Sequence, residues 1–404
     1  MTVTEYINEN LPKTVKYNPQ GDGTLIGLPF RYTVPCPDEM FLEMYYWDTY
    51  FTNTGLIATG NLRLAKSNVD NMLYLVNKYG FMPNGNRTYY LTRSQPPFLF
   101  MAVSDIFEET GDKEWLSSAY DTLSKEYDYW QSEHMTPDGL NFYGNREIND
   151  QSRIDALCKY YSSRVKCNTE GISPDLKLRY AHCMMAFAES GWDCTSRFGD
   201  NARYYEPVCL NSLLWGLENK MAAFSRILGR GDEEKWSALA DSRKQKMERL
   251  MYDKGRGIML DRSFSDGHLS PVLSVASFYP LFVGMKERPD GEINALKELI
   301  LPYGVAATNN SDAVHGYQWD YPHVWAPLQY VAYKAFKNCG CDDIANEIKD
   351  KYIALIETNF EKTGRLWEKY NGSTGEVANE DYNAPAMLGW TAGVYNDIYE
   401  EFNQ

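Results

Sequence analysis

What most constrains this chain is the period of its apolar residues. Over most of its length they recur at i, i+3, i+4 and i+7, as in 206–229, 234–252 and 342–360, which turns one helical face inward. The period-two alternation of a half-buried strand is scarce. With Gly, Pro and Asn breaks taken as boundaries, the pattern predicts about twelve helices, near 42–59, 63–79, 96–110, 113–134, 173–187, 206–229, 233–252, 270–283, 291–301, 323–338, 342–360 and 386–402. Twelve is the number that six helical hairpins give. Gly111-Asp112-Lys113-Glu114-Trp115 and Gly231-Asp232-Glu233-Glu234-Lys235-Trp236 each place Asp where an N-cap belongs, with acids after it that complement the helix dipole. The two starts resemble copies of one motif, as stacked helical hairpins would show.

The chain has 404 residues and 44% apolar composition, enough to bury a large core. No Gly/Ser linker or low-complexity segment divides it, so residues 1–404 are expected to form one domain. The long stretches left between helices, 28–41, 80–95, 136–172, 189–205, 303–322 and 361–385, are where a rigid scaffold carries its chemistry. Three of the clusters in or beside them repeat a Trp-Asp pair: Tyr45-Tyr46-Trp47-Asp48-Thr49-Tyr50-Phe51, Glu189-Ser190-Gly191-Trp192-Asp193, and Gln318-Trp319-Asp320-Tyr321-Pro322-His323-Val324-Trp325-Ala326-Pro327. An indole offers a flat apolar face to the C–H side of a pyranose, while amides and carboxylates take its hydroxyls. One such pair is as readily core as site. Three together point to a carbohydrate enzyme.

A net charge of −15 disfavours nucleic acid or an anionic membrane as partner and leaves a small neutral carbohydrate as the natural ligand. The N-terminal Met1-Thr2-Val3-Thr4-Glu5-Tyr6 shows neither a basic nor an apolar leader region, and no apolar run approaches membrane-spanning length. A cytoplasmic location is the expectation. Eight Cys without a repeated C-x-x-C pattern are expected to be reduced and mostly buried. Five scattered His give no metal-ligand spacing, and there is no Gly-rich phosphate loop, so neither metal nor cofactor is expected.

Laid side by side, these clusters resemble the trehalase family of glycoside hydrolases over roughly residues 43–393, with weaker similarity to processing α-glucosidases. Asn84-Gly85-Asn86-Arg87-Thr88-Tyr89-Tyr90-Leu91-Thr92-Arg93-Ser94-Gln95-Pro96-Pro97 is close to one signature of that family, and Gln318 to Pro327 to another. The resemblance implies an all-α (α/α)6 barrel and metal-free, inverting hydrolysis of an α-glucosidic bond. Such chemistry needs a protonated carboxyl for the leaving oxygen and a carboxylate on the opposite sugar face to activate water, roughly 6.5–9.5 Å apart. By resemblance the acid is Asp193 of the Ser-Gly-Trp-Asp run, and the base is Glu368 in Leu366-Trp367-Glu368-Lys369-Tyr370. Asp193 needs a raised pKa, which the neighbouring indole would favour and Arg197 would oppose. The same resemblance makes Trp47 a stacking surface and Asp48 a hydroxyl acceptor. It makes Asn84, Arg93, Ser94 and Gln95 polar sugar contacts, and adds Gly191, Trp192, Trp319, Asp320 and Trp325 to the substrate cleft. Asn84-Gly85 also reads as a tight turn with positive φ.

Departures from the family pattern bear on the substrate. Where it has Gly-Gly-Arg-Phe-Arg-Glu, this chain has Cys36-Pro37-Asp38-Glu39-Met40-Phe41-Leu42-Glu43, so Met40 stands in place of a substrate-binding arginine. An Arg-Pro-Glu-Ser motif is missing, with Arg164 as a weak substitute, and Glu380 takes the place of a lid glutamate in 371–380. The lost arginines serve the departing sugar. Trehalose, another α-glucoside, and sugar binding without catalysis all follow as readings.

Overall fold

The computed structural model describes residues 1–403 other than 38–39, 145–147, 149, 166, 310–316, 380–382 and 387–388. Its helices are α1 (Val3–Thr14), α2 (Tyr46–Ala58), α3 (Leu62–Tyr79), α4 (Leu99–Thr110), α5 (Lys113–Glu133), α6 (Gln151–Val165), α7 (Pro174–Ser190), α8 (Val208–Leu228), α9 (Glu233–Leu250), α10 (Tyr279–Phe282), α11 (Asp290–Leu299), α12 (Ala326–Asn338), α13 (Asp342–Thr363) and α14 (Trp390–Asn403). Strands are two or three residues long and pair only as two-stranded ribbons among the described residues. The architecture is a helical toroid.

Two layers follow from the sequence. Helices α2, α8 and α12 are buried on nearly every face, as their run of Tyr, Phe, Leu and Ala requires, whereas α9 and α13 bury one stripe and expose a charged face. Consecutive helices pack as neighbours, α2 on α3, α6 on α7, α8 on α9 and α12 on α13. The ring closes where α14 packs on α2. There two helical glycines face backbone: a Cβ on Gly55 would lie 2.4 Å from Gly393 O, and one on Gly393 2.0 Å from Phe51 O. Only glycine lets those two backbones meet.

The structure departs from the sequence reading at several elements. Helix α6 lies inside 136–172, which the sequence reads as loop; its apolar stripe Ile154, Cys158, Tyr161, Val165 is short among polar neighbours. Helix α1 carries a capping box, with Thr2 Oγ1 accepting from Glu5 N at 3.2 Å and Glu5 Oε2 from Thr2 N at 2.7 Å. The helix expected at 270–283 is a 3-10 turn, Val275–Phe278, followed by the single turn α10, because Pro271 and Pro280 interrupt the run. The helix expected from 323 begins at Ala326; His323–Trp325 is a strand paired antiparallel with Lys369–Asn371. The two similar helix starts also differ. Asp112 caps α5 by accepting from Trp115 N at 3.0 Å. Asp232 makes no cap bond, its carboxylate being taken by Tyr120 OH at 2.7 Å and Ser225 Oγ at 2.6 Å.

Candidate active site

The three Trp-Asp clusters, far apart in sequence, meet at one cleft of ≈ 410 Å³. Trp319 is the hinge of the arrangement. Its ring stacks on Trp325 at 3.9 Å and 5°, lies 5.7 Å from Trp192, and lies 5.5 Å from Trp47. Trp390, at the start of α14, stands edge-on to Trp47, Trp319 and Trp325 at 5.9–6.2 Å. Gly191 ends α7 at φ 73°, and a Cβ there would sit 2.8 Å from the Trp47 ring. Both the left-handed backbone and the indole demand glycine.

Each carboxyl in the cleft is set by a different element. Asp193 follows the α7 cap, and the next residue, Cys194, has φ 63°, a left-handed conformation costly for a side-chain-bearing residue. Its carbonyl accepts from Trp319 N at 3.3 Å, tying the two clusters together. Burial pushes the Asp193 carboxyl up from the ordinary range, opposed by the positive charges of Arg93 and Arg164. Arg197 does not act on it as expected. That guanidinium is buried in a two-pronged pair with Asp261, Nε to Oδ2 and Nη2 to Oδ1 both 2.9 Å, over the face of Trp192.

Asp48 lies in the first turn of α2. Burial raises it to about 8, its own backbone N–H opposing, while the negative charges of Glu368 and Asp193 add to the rise. Glu368 is 4% exposed and immediately precedes the strand Lys369–Asn371, whose pairing of Lys369 with Trp325 brings this acid to the indole cluster. Its backbone is held on both sides: N donates to Pro385 O at 3.2 Å, and O accepts from Trp390 Nε1 at 3.2 Å.

Of the residues read from sequence, Trp47, Asp48, Asn84, Arg93, Gln95, Gly191, Asp193, Trp319, Trp325 and Glu368 line this cleft. Arg93 donates through Nε to Asn84 Oδ1 at 2.8 Å, and Gln95 Oε1 accepts from Trp47 N at 3.3 Å. Three others do not line it. Ser94 is fully buried, its Oγ donating to Met82 O and its N to Glu189 Oε1. Trp192 is a buried spacer between Trp319 and Arg197. Asp320 Oδ1 accepts from Thr195 Oγ1 at 2.9 Å and Ser196 N at 3.0 Å, which fastens the loop after Asp193. Glu380 lies outside the described residues. Gly85 is not at positive φ; a Cβ there would be 2.9 Å from Met44 O, so close approach rather than turn geometry demands it.

Sequence reasoning missed Tyr45, Tyr90, Tyr160 and Trp390 in the cleft wall, although Met40 and Arg164 do line it. Arg164, from the unexpected helix α6, donates to Tyr160 OH at 2.8 Å and to Gln318 Oε1 at 3.4 Å. The available signal was the tyrosine excess, 31 in the chain, around the quoted motifs. Among the described residues no group of three or more His, Cys, Asp or Glu is placed to hold a metal ion, and no helix is long and apolar enough to cross a membrane.

A toroid of helices with paired carboxyls in an indole-lined cleft defines a glycoside hydrolase. Comparison with known proteins narrows this. The family model described as Trehalase matches residues 3–403. A periplasmic trehalase of Xanthomonas campestris pv. campestris (strain B100) is 32% identical, over 96% of this chain and 72% of its own length. One of Xanthomonas axonopodis pv. citri (strain 306) is 34% identical, over 92% and 68%. Among solved structures, neutral trehalase Nth1 from Saccharomyces cerevisiae superposes with TM-score 0.77 at 25% identity, covering 92% of this chain and 73% of that one. The GH63 mannosylglycerate hydrolase of Thermus thermophilus, at 15% identity and TM-score 0.68 over 98% of this chain and 99% of that one, shares the fold. The chain belongs to the trehalase family. The expected cytoplasmic location is overturned, because the curated relatives that the chain resembles are named periplasmic trehalases.

Proposed function

We propose that the chain, acting as one catalytic unit, hydrolyses trehalose with inversion, Asp193 serving as general acid and Glu368 as general base. Asp193 donates its proton to the glycosidic oxygen as the bond to the anomeric carbon breaks. Glu368 takes a proton from the water that attacks the opposite face, so the attacked ring leaves as β-glucose and the departing one as α-glucose. Trp47, Asp48, Asn84, Arg93 and Gln95 hold the ring under attack. The observation that carries this reading is the convergence of Asp193 and Glu368 on one indole-lined cleft, with the Asp193 carboxyl raised by burial.

Proton NMR of trehalose with the purified protein tests it directly. Fresh β-glucose signal ahead of mutarotation is expected; fresh α-anomer alone, or no glucose at all, would sink the assignment. Asp193→Asn is expected to lower kcat by roughly 10²–10⁴ while the melting temperature stays near wild type.

A second reading is favoured by Met40, which lines the cleft and is 44% exposed where the family pattern has an arginine. Under it the protein keeps the mechanism and cleaves a different α-glucoside faster than trehalose.

A further inference from the structure

Glu43 is buried beside the cleft and outside the residues assigned above. Its Oε1 accepts from Tyr45 OH at 2.9 Å and Tyr89 OH at 3.3 Å, with Tyr90 OH at 3.5 Å; Oε2 is 3.3 Å from Arg87 Nε. The Tyr45 and Tyr90 hydroxyls are themselves 3.0 Å apart. One carboxylate thus gathers three phenols and a guanidinium. The rings it gathers run on as a continuous edge-to-face series, Phe41 to Tyr45 at 5.8 Å, Tyr45 to Tyr90 at 5.6 Å and Tyr90 to Tyr89 at 4.6 Å. Met40, Phe41, Tyr45 and Tyr90 all line the cleft. Phe41 is held at φ 52°, where a bulky side chain seldom sits, so its place is set by the surrounding packing.

The chemical consequence lies in where the hydroxyls go. Tyr45 and Tyr90 spend theirs on each other and on Glu43, so they offer carbon surface to a ligand rather than hydrogen bonds. Beside them stands a thioether in place of a guanidinium. We propose that Glu43 is a positioning residue that holds Phe41, Tyr45 and Tyr90 as an aromatic shelf for the leaving group. With Met40, this shelf selects aglycones by an apolar face. The inference rests on the hydrolase reading above and deepens it by naming the leaving-group class.

The test compares kcat/KM for benzyl and methyl α-glucoside, whose leaving alcohols have similar acidity, with trehalose as a control. Wild type is expected to prefer the benzyl compound by roughly three- to tenfold, the scale of one aromatic contact. Glu43→Gln is expected to cost the benzyl substrate more than the methyl one, so that their ratio falls. Met40→Arg, at an exposed position, is expected to lower the same ratio and raise trehalose relative to benzyl glucoside. A wild-type ratio near one with trehalose cleaved overturns the shelf and leaves the hydrolase standing. Equal losses on both glucosides in Glu43→Gln, or a ratio unmoved by Met40→Arg, overturn it as well. Should Glu43→Gln not fold, Met40→Arg decides alone. If none of the three substrates is cleaved, the hydrolase reading falls and the shelf with it.

Discussion

Glu189, four residues before Asp193, organises the ground beneath the cleft without entering it. Its buried carboxylate accepts from Ser94 N at 2.9 Å, Gly144 N at 2.6 Å and Tyr129 OH at 3.1 Å, and lies 3.0 Å from His134 Nε2. Burial alone would push it up, but the His134 charge and the converging N–H groups outweigh that and hold it at about 2, below its ordinary 4.5. A depressed carboxyl stabilises the fold fully above its unfolded value and loses that contribution as pH falls from 4.5 towards 2. Glu189→Gln should therefore lower unfolding free energy by about 3 kcal/mol at pH 7, and the gap to wild type should narrow below pH 4.5, as thermal melts at several pH values would reveal. Asp193, the proposed acid, gives a kinetic counterpart. Arg164 pulls the Asp193 carboxyl down, so Arg164→Gln should let it rise and carry the alkaline limb of the kcat/KM profile to higher pH. An alkaline limb that stays put or moves down would remove Arg164 from that role.

At the scale of elements, propensity and context part company at the helix starts. Asp112 is a true cap, and Asp112→Ala should cost about 1 kcal/mol. Asp232 instead joins Tyr120, Ser225 and Trp236, linking α5, α8 and α9, so Asp232→Ala should shift the denaturant midpoint further. Sequence shows the same Gly-Asp-x-Glu run in both places, because a cap and a network acid have identical local signatures. Helices α3, α5, α9 and α13 were legible for the opposite reason: a long amphipathic stripe with a Gly stop or an acidic start specifies itself. The strand at His323–Trp325 was not, since a three-residue ribbon has no period to read and its partner lies far along the chain. That ribbon carries Glu368 to the cleft. Asp193 and Glu368 were visible through motif resemblance, whereas Glu43 and Glu189 look in sequence like any acid near a tyrosine or serine. Only the fold shows what their carboxylates hold.

For the whole molecule, the seam between α2 and α14 decides whether there is a ring at all. A methyl group at Gly393 would meet Phe51 O and Thr52 Cα, backbone that cannot rotate aside. Gly393→Ala should thus cost about 1–3 kcal/mol or more and loosen the contact of Trp390 with Trp47, which would appear as a lower melting temperature with altered tryptophan fluorescence. A variant matching wild type in both would mean the seam gives way cheaply.

The same seam has a consequence for the order in which the protein is made. Helix α2, which carries Trp47 and Asp48, is translated before its partner α14, with α3 to α13 between them. Until then the apolar faces of α2 have no permanent neighbour on that side, and closure waits for a contact between segments far apart in sequence. The nascent protein must be kept from sticking to itself over that interval, and the wall of the cleft that Trp390 supplies is added only as α14 docks.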